Sequence, residues 1–438
     1  MLERLRYHLF WSVDFLKGSP VRKHCKDIQS ILENYDSDSS IDKKKQYLNK
    51  LLDHAVKFVE FYNKYKGFNR LEDFPVVNQG ILKNNFETIQ ASNYRGRKHF
   101  KMSTSGSTGT PFTILQNADK KVRNTADTIY FKKQIGYEVG HRMYYIRRWF
   151  KKLKSTPWSN KIKNVVEVDV TDFSQEYLKK FIEDLENDKS KKVILAYSSA
   201  LREICKYLDN AESEGVETNL ECIISMAEGL STQTRKSLKK YFKAPVYSRY
   251  SNNENGILSL QLSEIDPYFQ INWASYHIEI LHPERDEPVA FGQIGRVVIT
   301  DLFNYHMPFI RYDTGDMAVM EENDTFNSAP AFKEIIGRKM DVIYDTSGNP
   351  KSSFIIFHLD AYPQIDQFQI IQQAKKQYVI KLNVKNKRKV NELEIIKLYK
   401  SYLGDDAEID FEYEDVIPTL TSGKRRLTIN NYIKDLTA

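Results

Sequence analysis

The chain has 438 residues, with 65 Lys and Arg against 58 Asp and Glu, and its formal net charge is +7. Hydrophobic residues make up 41% and charged residues 28%, which excludes a disordered chain and predicts two or three globular domains of about 150 residues each. No apolar run approaches the roughly 18 residues of a membrane helix, and three scattered cysteines favour a reducing, cytoplasmic setting over a disulfide scaffold.

Residues 1–72 predict a helical region packed on the main domain. Apolar residues recur every three or four positions from Leu5 to Leu16 and again from Leu48 to Val59. Because such stripes usually meet a core, we expect the first helix to pack on the main domain. Peripheral membrane contact is the alternative, since Arg4, Arg6 and Lys17 accompany the stripe.

Residues 73–340 predict an α/β core. Short apolar runs at 193–196 and 222–225 alternate with amphipathic stretches at 175–185 and 200–208. Alternation of this kind indicates a largely parallel sheet with helices packed on it.

Residues 341–438 predict a separate, small α+β domain. Apolar and polar residues alternate at 380–384 and at 409–413, as they do in half-buried strands. An amphipathic helix is expected between them, from Asn391 to Leu403, and it should end at Gly404. The acidic residues of the second run then lie on the exposed face of a strand.

Positive charge is concentrated at residues 132–163. Ten Lys and Arg against one acid, Glu138, give this segment +9 and leave −2 for the rest of the chain. An anionic partner, such as coenzyme A, an acidic carrier protein or a membrane surface, is one interpretation, and a solvated face is the other. Aromatic residues interleave with these cations, but they fit a buried strand better than a nucleic-acid surface, so we expect no nucleic acid.

Hydroxyl groups and glycines are concentrated at 103–111, which reads Ser-Thr-Ser-Gly-Ser-Thr-Gly-Thr-Pro. Glycines let backbone N–H groups converge on a phosphate, and the hydroxyls add donors without bulk. The segment lacks the Gly-Lys-Ser/Thr of a Walker loop and the GxSxG of a nucleophile elbow. By itself it is equally compatible with a flexible loop.

Four more patterns follow in order. They are Tyr-Ser-Asn-Asn-Glu at 250–254, Tyr-Asp-Thr-Gly-Asp at 312–316, Gly337-Arg338 with Asp341, and Pro418 with Ser422-Gly423-Lys424. With this order, residues 70–430 resemble the adenylate-forming ligase superfamily. The resemblance is to its phenylacetate–CoA ligase-like family, including the members found with capsule and surface-polysaccharide genes.

The resemblance implies a large adenylation domain with a helical N-terminal extension and mixed or parallel sheets, and a small mobile C-terminal domain. It also implies an AMP-forming ligase that joins a small carboxylic acid to ATP, releases pyrophosphate and passes the acyl group to a pantetheine thiol of coenzyme A or of a carrier protein. An amine acceptor is one alternative. A catalytically inactive nucleotide-binding or scaffold relative is the other. A homodimer is compatible with the family.

The resemblance assigns roles residue by residue. Catalytic roles fall to Lys424, Glu254 and Thr108, with Glu254 as the Mg²⁺ ligand. The implied ATP and AMP contacts are Thr104, Ser105, Gly106, Ser107, Thr108, Gly109, Ala227, Glu228, Gly229, Tyr250, Asn252, Asn253, Tyr312, Asp316 and Arg338. The implied acyl pocket consists of Tyr145, Tyr197, Ser198, Tyr247 and Tyr250.

Two of these assignments have physical reasons and ordinary alternatives. Asp316 can accept both ribose hydroxyls, although a structural ion pair with Arg338 is the alternative. Lys424 can bridge the substrate carboxylate and the α-phosphate, although lysines in basic runs are usually solvated. Met340 stands where relatives commonly carry Asp or Lys at the hinge, so the motifs support adenylation better than thiol transfer.

Overall fold

The computed structural model describes residues 2–103, 112–149, 156–171, 173–362, 364–420 and 425–432. The α-helices in these ranges are α1 (Leu2–Leu16), α2 (Pro20–Glu33), α3 (Asp38–Phe58), α4 (Gln79–Asn84), α5 (Ala118–Gln134), α6 (Pro157–Lys163), α7 (Gln175–Asn187), α8 (Ser198–Asn210), α9 (Thr232–Phe242) and α10 (Glu392–Leu403). None of the helices described has the length and apolar character that a membrane span requires.

The strands in the same ranges are β1 (His99–Ser103), β2 (Thr113–Asn117), β3 (Arg142–Arg147), β4 (Val165–Asp169), β5 (Lys192–Tyr197), β6 (Leu220–Met226), β7 (Val246–Asn252), β8 (Gly256–Gln261), β9 (Phe269–Ile271), β10 (Tyr276–Leu281), β11 (Ile294–Asp301), β12 (Tyr312–Glu321), β13 (Ala331–Arg338), β14 (Ile343–Tyr344), β15 (Pro350–Lys351), β16 (Ile365–Ala374), β17 (Gln377–Val384), β18 (Glu408–Tyr413) and β19 (Thr428–Asn430).

The chain divides into two units. The first consists of Met1–Arg142, Trp158–Asn164 and Tyr247–Ile335, and the second of Met143–Pro157, Val165–Val246 and Ile336–Ala438. Both combine helices with sheets, which confirms the α/β fold class. The boundaries inferred from the sequence, at residues 72 and 340, stay a prediction.

In the first unit the strands follow the order β10-β11-β12-β13-β9-β8-β7. Neighbours in this row pair antiparallel wherever their register is recorded, which differs from the largely parallel sheet expected for residues 73–340. The physical reason is the length of the connections, because three residues join β7 to β8 and leave no room for a crossover helix.

In the second unit the order β6-β5-β3-β4 is parallel in its recorded pairs, β3 with β4 and β5 with β6. Helix α7 connects β4 to β5 and α8 connects β5 to β6, as the alternating pattern predicts. Every residue of β5 is buried, because helices cover both faces of such a sheet.

The same unit holds the four-stranded sheet β18-β17-β16-β19, packed with α10 around its own apolar core. The side chain of Asn391 caps the start of α10 by accepting a hydrogen bond from the Glu394 amide, and Gly404 ends the helix at φ +115°. The acidic residues of β18 lie on its exposed face, which confirms the small α+β fold read from the alternation.

The apolar stripe of α1 does not meet a core. Leu5, Leu9, Val13 and Leu16 are exposed, so the expectation that this stripe packs on the main domain is wrong. The buried residue of α1 is Asp14, whose carboxylate accepts hydrogen bonds from the backbone amides of Val21 and Arg22 at 2.9 and 3.1 Å. Those amides begin α2 and have no partner within the helix. Burying Asp14 provides them with a hydrogen-bond acceptor, which an apolar residue of α1 could not do.

Buried charges on α5 hold the first unit together. Lys120 pairs with Asp301 at 2.6 Å, and both side chains are excluded from water. One turn later Arg123 pairs with Asp27 of α2 at 2.6 Å and donates to the carbonyl of Ala274 at 2.7 Å. Helices α2 and α5 and the end of β11 are thus joined by ionic contacts that no apolar periodicity predicts.

We expect Asp301→Asn to lower the free energy of unfolding by about 3–5 kcal/mol, because it leaves the buried Lys120 ammonium without its carboxylate. Chemical denaturation of the full chain measures the change. Glu322→Gln, an exposed acid of the same unit, is the control and should change stability by less than about 0.5 kcal/mol. Equal effects of the two substitutions would contradict this account.

Candidate functional site

The turn between β7 and β8 carries Glu254 and is fixed by hydrogen bonds to its backbone. Gln116 donates from its side chain to the Glu254 carbonyl at 2.9 Å, and the Tyr276 hydroxyl donates to the Asn255 carbonyl at 2.6 Å. The side chain of Asn252 accepts from the Asn255 amide at 2.8 Å. Three separate groups therefore set the position of Glu254, and the sequence motif named only Asn252 among them.

Tyr312 connects two of the predicted motifs. It begins β12, is buried, and donates a hydrogen bond from its hydroxyl to the Glu254 carboxylate at 3.4 Å. The preceding residue, Arg311, has the left-handed φ of 49° and pairs with Glu279 at 2.9 Å. Because this ion pair is almost fully buried, it stabilises the unfavourable backbone angle that sets the start of β12.

Asp316 and Tyr250 make the second connection between the same motifs. The buried Tyr250 hydroxyl donates to an Asp316 carboxylate oxygen at 2.7 Å, a charge-assisted contact. The amide of Asp316 donates to the Thr314 hydroxyl at 3.1 Å. Two hydrogen bonds thus bring together residues about 60 positions apart in the sequence, as the resemblance requires of one nucleotide site.

Three other predicted residues of this unit lie in or beside β7. Tyr247 and Asn252 are half-buried strand residues, and Asn253 is exposed in the turn that follows.

In the second unit, Ala227, Glu228 and Gly229 follow β6 directly. Ala227 has φ 70°, a backbone angle that favours glycine. The Glu228 carboxylate accepts from the Ser199 amide at 2.9 Å, in the first turn of α8, where the helix dipole favours an anion. The Ser198 hydroxyl donates to the Glu228 carbonyl at 2.8 Å and shares a 2.5 Å hydrogen bond with the Ser225 hydroxyl.

Arg147, at the end of β3, contacts Tyr145 and interacts electrostatically with Tyr197, both of which are predicted for the acyl pocket. Its guanidinium donates to the Tyr145 hydroxyl at 3.3 Å and lies over the rings of Tyr145 and Trp149, 5.6 and 5.4 Å from their centroids. Burial alone would lower the pKa of Arg147, but the phenols of Tyr145 and Tyr197 raise it. Burial also raises the pKa of Tyr197, although Arg147 opposes that shift. The sequence placed Arg147 in the basic segment and missed this local role.

Arg425 is the second residue that the sequence missed. Its backbone amide donates to the Glu228 carboxylate at 3.2 Å, and its guanidinium lies 3.8 Å from Glu203 of α8. Burial lowers the pKa of this guanidinium. These groups surround a cavity of about 30 Å³, which is also lined by Ser198, Phe357 and Asp360. The position of Arg425 immediately after Lys424 was the signal that could have identified it.

The remaining predicted residues divide into two groups. Arg338 is exposed at the end of β13, and in the turn that follows it Asp341 pairs with Arg426. The phosphate loop, with Thr104, Ser105, Gly106, Ser107, Thr108 and Gly109, lies outside the described residues, as does Lys424.

No cluster of three or more His, Cys, Asp or Glu among the described residues could hold a metal ion. The chemistry of Glu254 nevertheless fits the expected ion, since its half-buried carboxylate offers hard oxygen donors. Mg²⁺ is commonly held by one or two carboxylates together with substrate phosphates, and it does not need a protein cage.

The C-terminal part of the chain matches a known domain. Residues 352–431 match the family model described as the CapK C-terminal domain. Protein CapK of Staphylococcus aureus is 23% identical over 441 residues, which span 95% of this chain and 94% of CapK.

Solved structures agree with the fold. 2-Hydroxyisobutyryl-CoA ligase, in the postadenylation state with R3-HIB-AMP, is 14% identical, with a TM-score of 0.72 over 93% of each chain. That ligase has also been solved with 2-HIB-AMP and CoA. ATP-bound MatB from Rhodopseudomonas palustris is 13% identical, with a TM-score of 0.55 over 74% of this chain and 66% of MatB. The chain therefore has the fold of the adenylate-forming ligases, as its motifs predicted, and residues 352–431 are similar to the CapK C-terminal domain.

Proposed function

We propose that this protein is an ATP-dependent acyl-adenylating ligase. It would convert a carboxylic acid and ATP to acyl-AMP and pyrophosphate, and then transfer the acyl group to a thiol. The observation that carries the proposal is the pair of hydrogen bonds, Tyr250 to Asp316 and Tyr312 to Glu254. They connect, within one unit, two of the motifs on which the resemblance rests.

In the first unit, the Asp316 carboxylate would accept the ribose hydroxyls while Tyr250 holds it in place. Tyr312 would pack near the adenine, with Asn252 and Asn253 as amide donors. Glu254 would bind Mg²⁺, which when bound neutralises phosphate charge. The backbone amides and hydroxyls of the phosphate loop would hold the phosphates, with Thr108 closest to the chemistry.

In the second unit, Ala227, Glu228 and Gly229 are the proposed adenine contacts and Arg338 a ribose contact. Lys424 would bridge the carboxylate and the α-phosphate, stabilising the negative charge that develops as the mixed anhydride forms. The hydrogen bond of the Arg425 amide to Glu228 supports this role, because it ties the residue after Lys424 to the proposed adenine segment.

The acyl acceptor is proposed to be the thiol of coenzyme A or of a phosphopantetheinyl carrier protein, in keeping with the CoA bound by 2-hydroxyisobutyryl-CoA ligase. An amine is the second candidate acceptor. A homodimer and a role in surface-polysaccharide biosynthesis are proposals that rest on the family resemblance. A cytoplasmic location is a proposal that rests on the three scattered cysteines.

The acid is proposed to carry a polar group besides its reacting carboxylate. Tyr145, Tyr197 and Ser198 supply hydroxyls, and Arg147 adds a cation beside the two tyrosines. A polar substituent on the acid could hydrogen-bond to these hydroxyls and to the guanidinium, which a purely apolar acyl chain cannot do. Hydroxy, amino and dicarboxylic acids therefore belong first in a substrate screen.

Pyrophosphate exchange into ATP, measured across a panel of such acids, tests the proposed reaction. We expect exchange with at least one acid and a loss of about 100-fold or more in Lys424→Ala, because the bridging charge is removed. Lys397→Ala, an exposed lysine of α10, is the control and should exchange normally. ATP binding without exchange for any acid would contradict the proposal and support an inactive nucleotide-binding relative.

Tyr250→Phe removes the hydroxyl that orients Asp316, and we expect the KM for ATP to rise about three- to tenfold. Tyr268→Phe is the matched control, since it removes a 2.6 Å Tyr–carboxylate hydrogen bond to Glu321 elsewhere in the same unit. Steady-state exchange at varied ATP concentration measures both variants. An unchanged KM in Tyr250→Phe would remove Asp316 from the nucleotide site.

Arg147→Gln tests the acyl pocket separately. We expect the KM for the acid to rise about tenfold and the KM for ATP to stay the same, because the lost cation faces the proposed acyl group. Arg148→Gln keeps the local backbone and serves as the neighbouring control. Parallel increases in both KM values would indicate a structural role for Arg147.

A further inference from the structure

Helix α1 presents a continuous apolar face to solvent. The face consists of Leu2, Leu5, Leu9, Val13 and Leu16, which recur every three or four residues and so lie along one side of the helix. Their exposed fractions range from 41% for Val13 to 82% for Leu16. Exposed apolar residues are ordinary when scattered, but a row of five along one helix indicates an interaction surface.

The orientation of α1 is fixed by contacts on its opposite side. The Asp14 carboxylate binds the first amides of α2, and the Arg22 guanidinium lies 5.0 Å from the ring centroid of Trp11. The first turn packs against Gly140, where a Cβ would stand 2.4 Å from the Glu3 carbonyl oxygen. The folded unit therefore holds the helix with its apolar face outward.

Basic residues accompany this face. Arg6 and Lys17 border the apolar row on one side, as the helical spacing requires. Lys17 and Arg4 are exposed, and Arg6 is half-buried. The acids of α1 are Glu3 and Asp14, and the Asp14 charge is taken up by the amides of α2. The exposed side of α1 is thus apolar with a positive border.

Helix α6 meets the same Gly140 turn. Asn164, the residue after α6, donates from its side chain to the Gly140 carbonyl at 2.9 Å and accepts from Arg142 at 3.1 Å. Trp158 and Ile162, one turn apart on α6, are 78% and 61% exposed. The exposed Lys161 and Lys163 belong to the basic segment noted in the sequence. Gly140 therefore contacts both α1 and the residue that ends α6, and each of these helices carries exposed apolar and basic residues.

We propose that α1, together with α6, binds the surface of a bilayer that contains anionic lipid. An apolar row bordered by Lys and Arg is the pattern of helices that lie in the membrane interface, where the apolar side chains enter the acyl region and the cations meet lipid phosphates. Tryptophan, as at Trp158, is enriched at the same depth.

The positive charge beside the apolar row favours an anionic bilayer over a second copy of the chain as the binding partner of α1. A symmetric dimer through α1 would bring the same basic residues of both copies together, which is unfavourable. The bilayer supplies the opposite charge as well as the apolar layer. The proposal concerns a surface outside the candidate nucleotide site and does not depend on the proposed ligase activity.

Flotation of the full chain with vesicles tests the proposal. Vesicles of phosphatidylcholine alone are compared with vesicles in which a third of the lipid is phosphatidylglycerol, and we expect binding to the anionic vesicles that weakens as salt is added. Leu5→Gln with Leu9→Gln should reduce this binding about tenfold or more, because two exposed leucines no longer enter the bilayer.

The matched control removes the same number of exposed apolar side chains as the Leu5→Gln, Leu9→Gln variant. Ile265→Gln with Leu393→Gln removes two side chains that are 96% and 79% exposed elsewhere, and vesicle binding should not change. Trp158→Gln by itself should also weaken vesicle binding relative to the unaltered chain. Full binding in that variant would overturn the role of α6.

Absence of vesicle binding by the unaltered chain would overturn the proposal. So would a dimer, measured by sedimentation equilibrium, that dissociates in the Leu5→Gln, Leu9→Gln variant, because a second copy would then cover α1. Binding of equal strength to neutral and anionic vesicles would overturn the proposed role of the basic border. Circular dichroism confirms that each variant is folded before its binding is compared.

Discussion

The buried ion pair between Lys120 and Asp301 is the contact on which the first unit depends. Removing two charges from water is expensive, so this pair persists only with further partners. Lys120 also donates to the Tyr276 hydroxyl at 3.1 Å, and that hydroxyl donates to the carbonyl of Asn255. The same charged group that fixes α5 therefore also fixes the turn that presents Glu254. Stability and the candidate site share one set of hydrogen bonds.

This coupling explains why each nucleotide motif, taken alone, is a weak predictor of the site. Glu254 and Tyr312 are recognisable in the sequence, but the groups that position them, Gln116, Tyr276 and Arg311, lie outside every motif. A short motif contains the residues whose atoms would contact the ligand. The residues that hold those atoms in place are spread over the fold, where neighbours in space are distant in the chain.

Hydrophobic periodicity predicted the helices and strands that have one solvent-exposed face and one buried face. The helix after Asn391 and the strand β18 follow their patterns within a few residues, because burial on one side leaves a clear signal. Buried charges leave no such signal, and no pattern in the sequence marks Lys120 and Arg123 as buried. The stripe of α1 was misread for the opposite reason, since periodicity shows that a face is apolar but not what covers it.

Gly140 shows how a remote helix can restrict a loop. Its φ of +104° alone favours glycine, and the Glu3 carbonyl oxygen occupies the space that any side chain would need. These two restrictions have different origins, one in the loop itself and one in α1. In descendants that keep α1 in this position, the residue is confined to glycine. In a lineage that loses α1, only the backbone restriction survives, and a φ of +104° still favours glycine. The evolutionary histories of the helix and of this position are thereby linked.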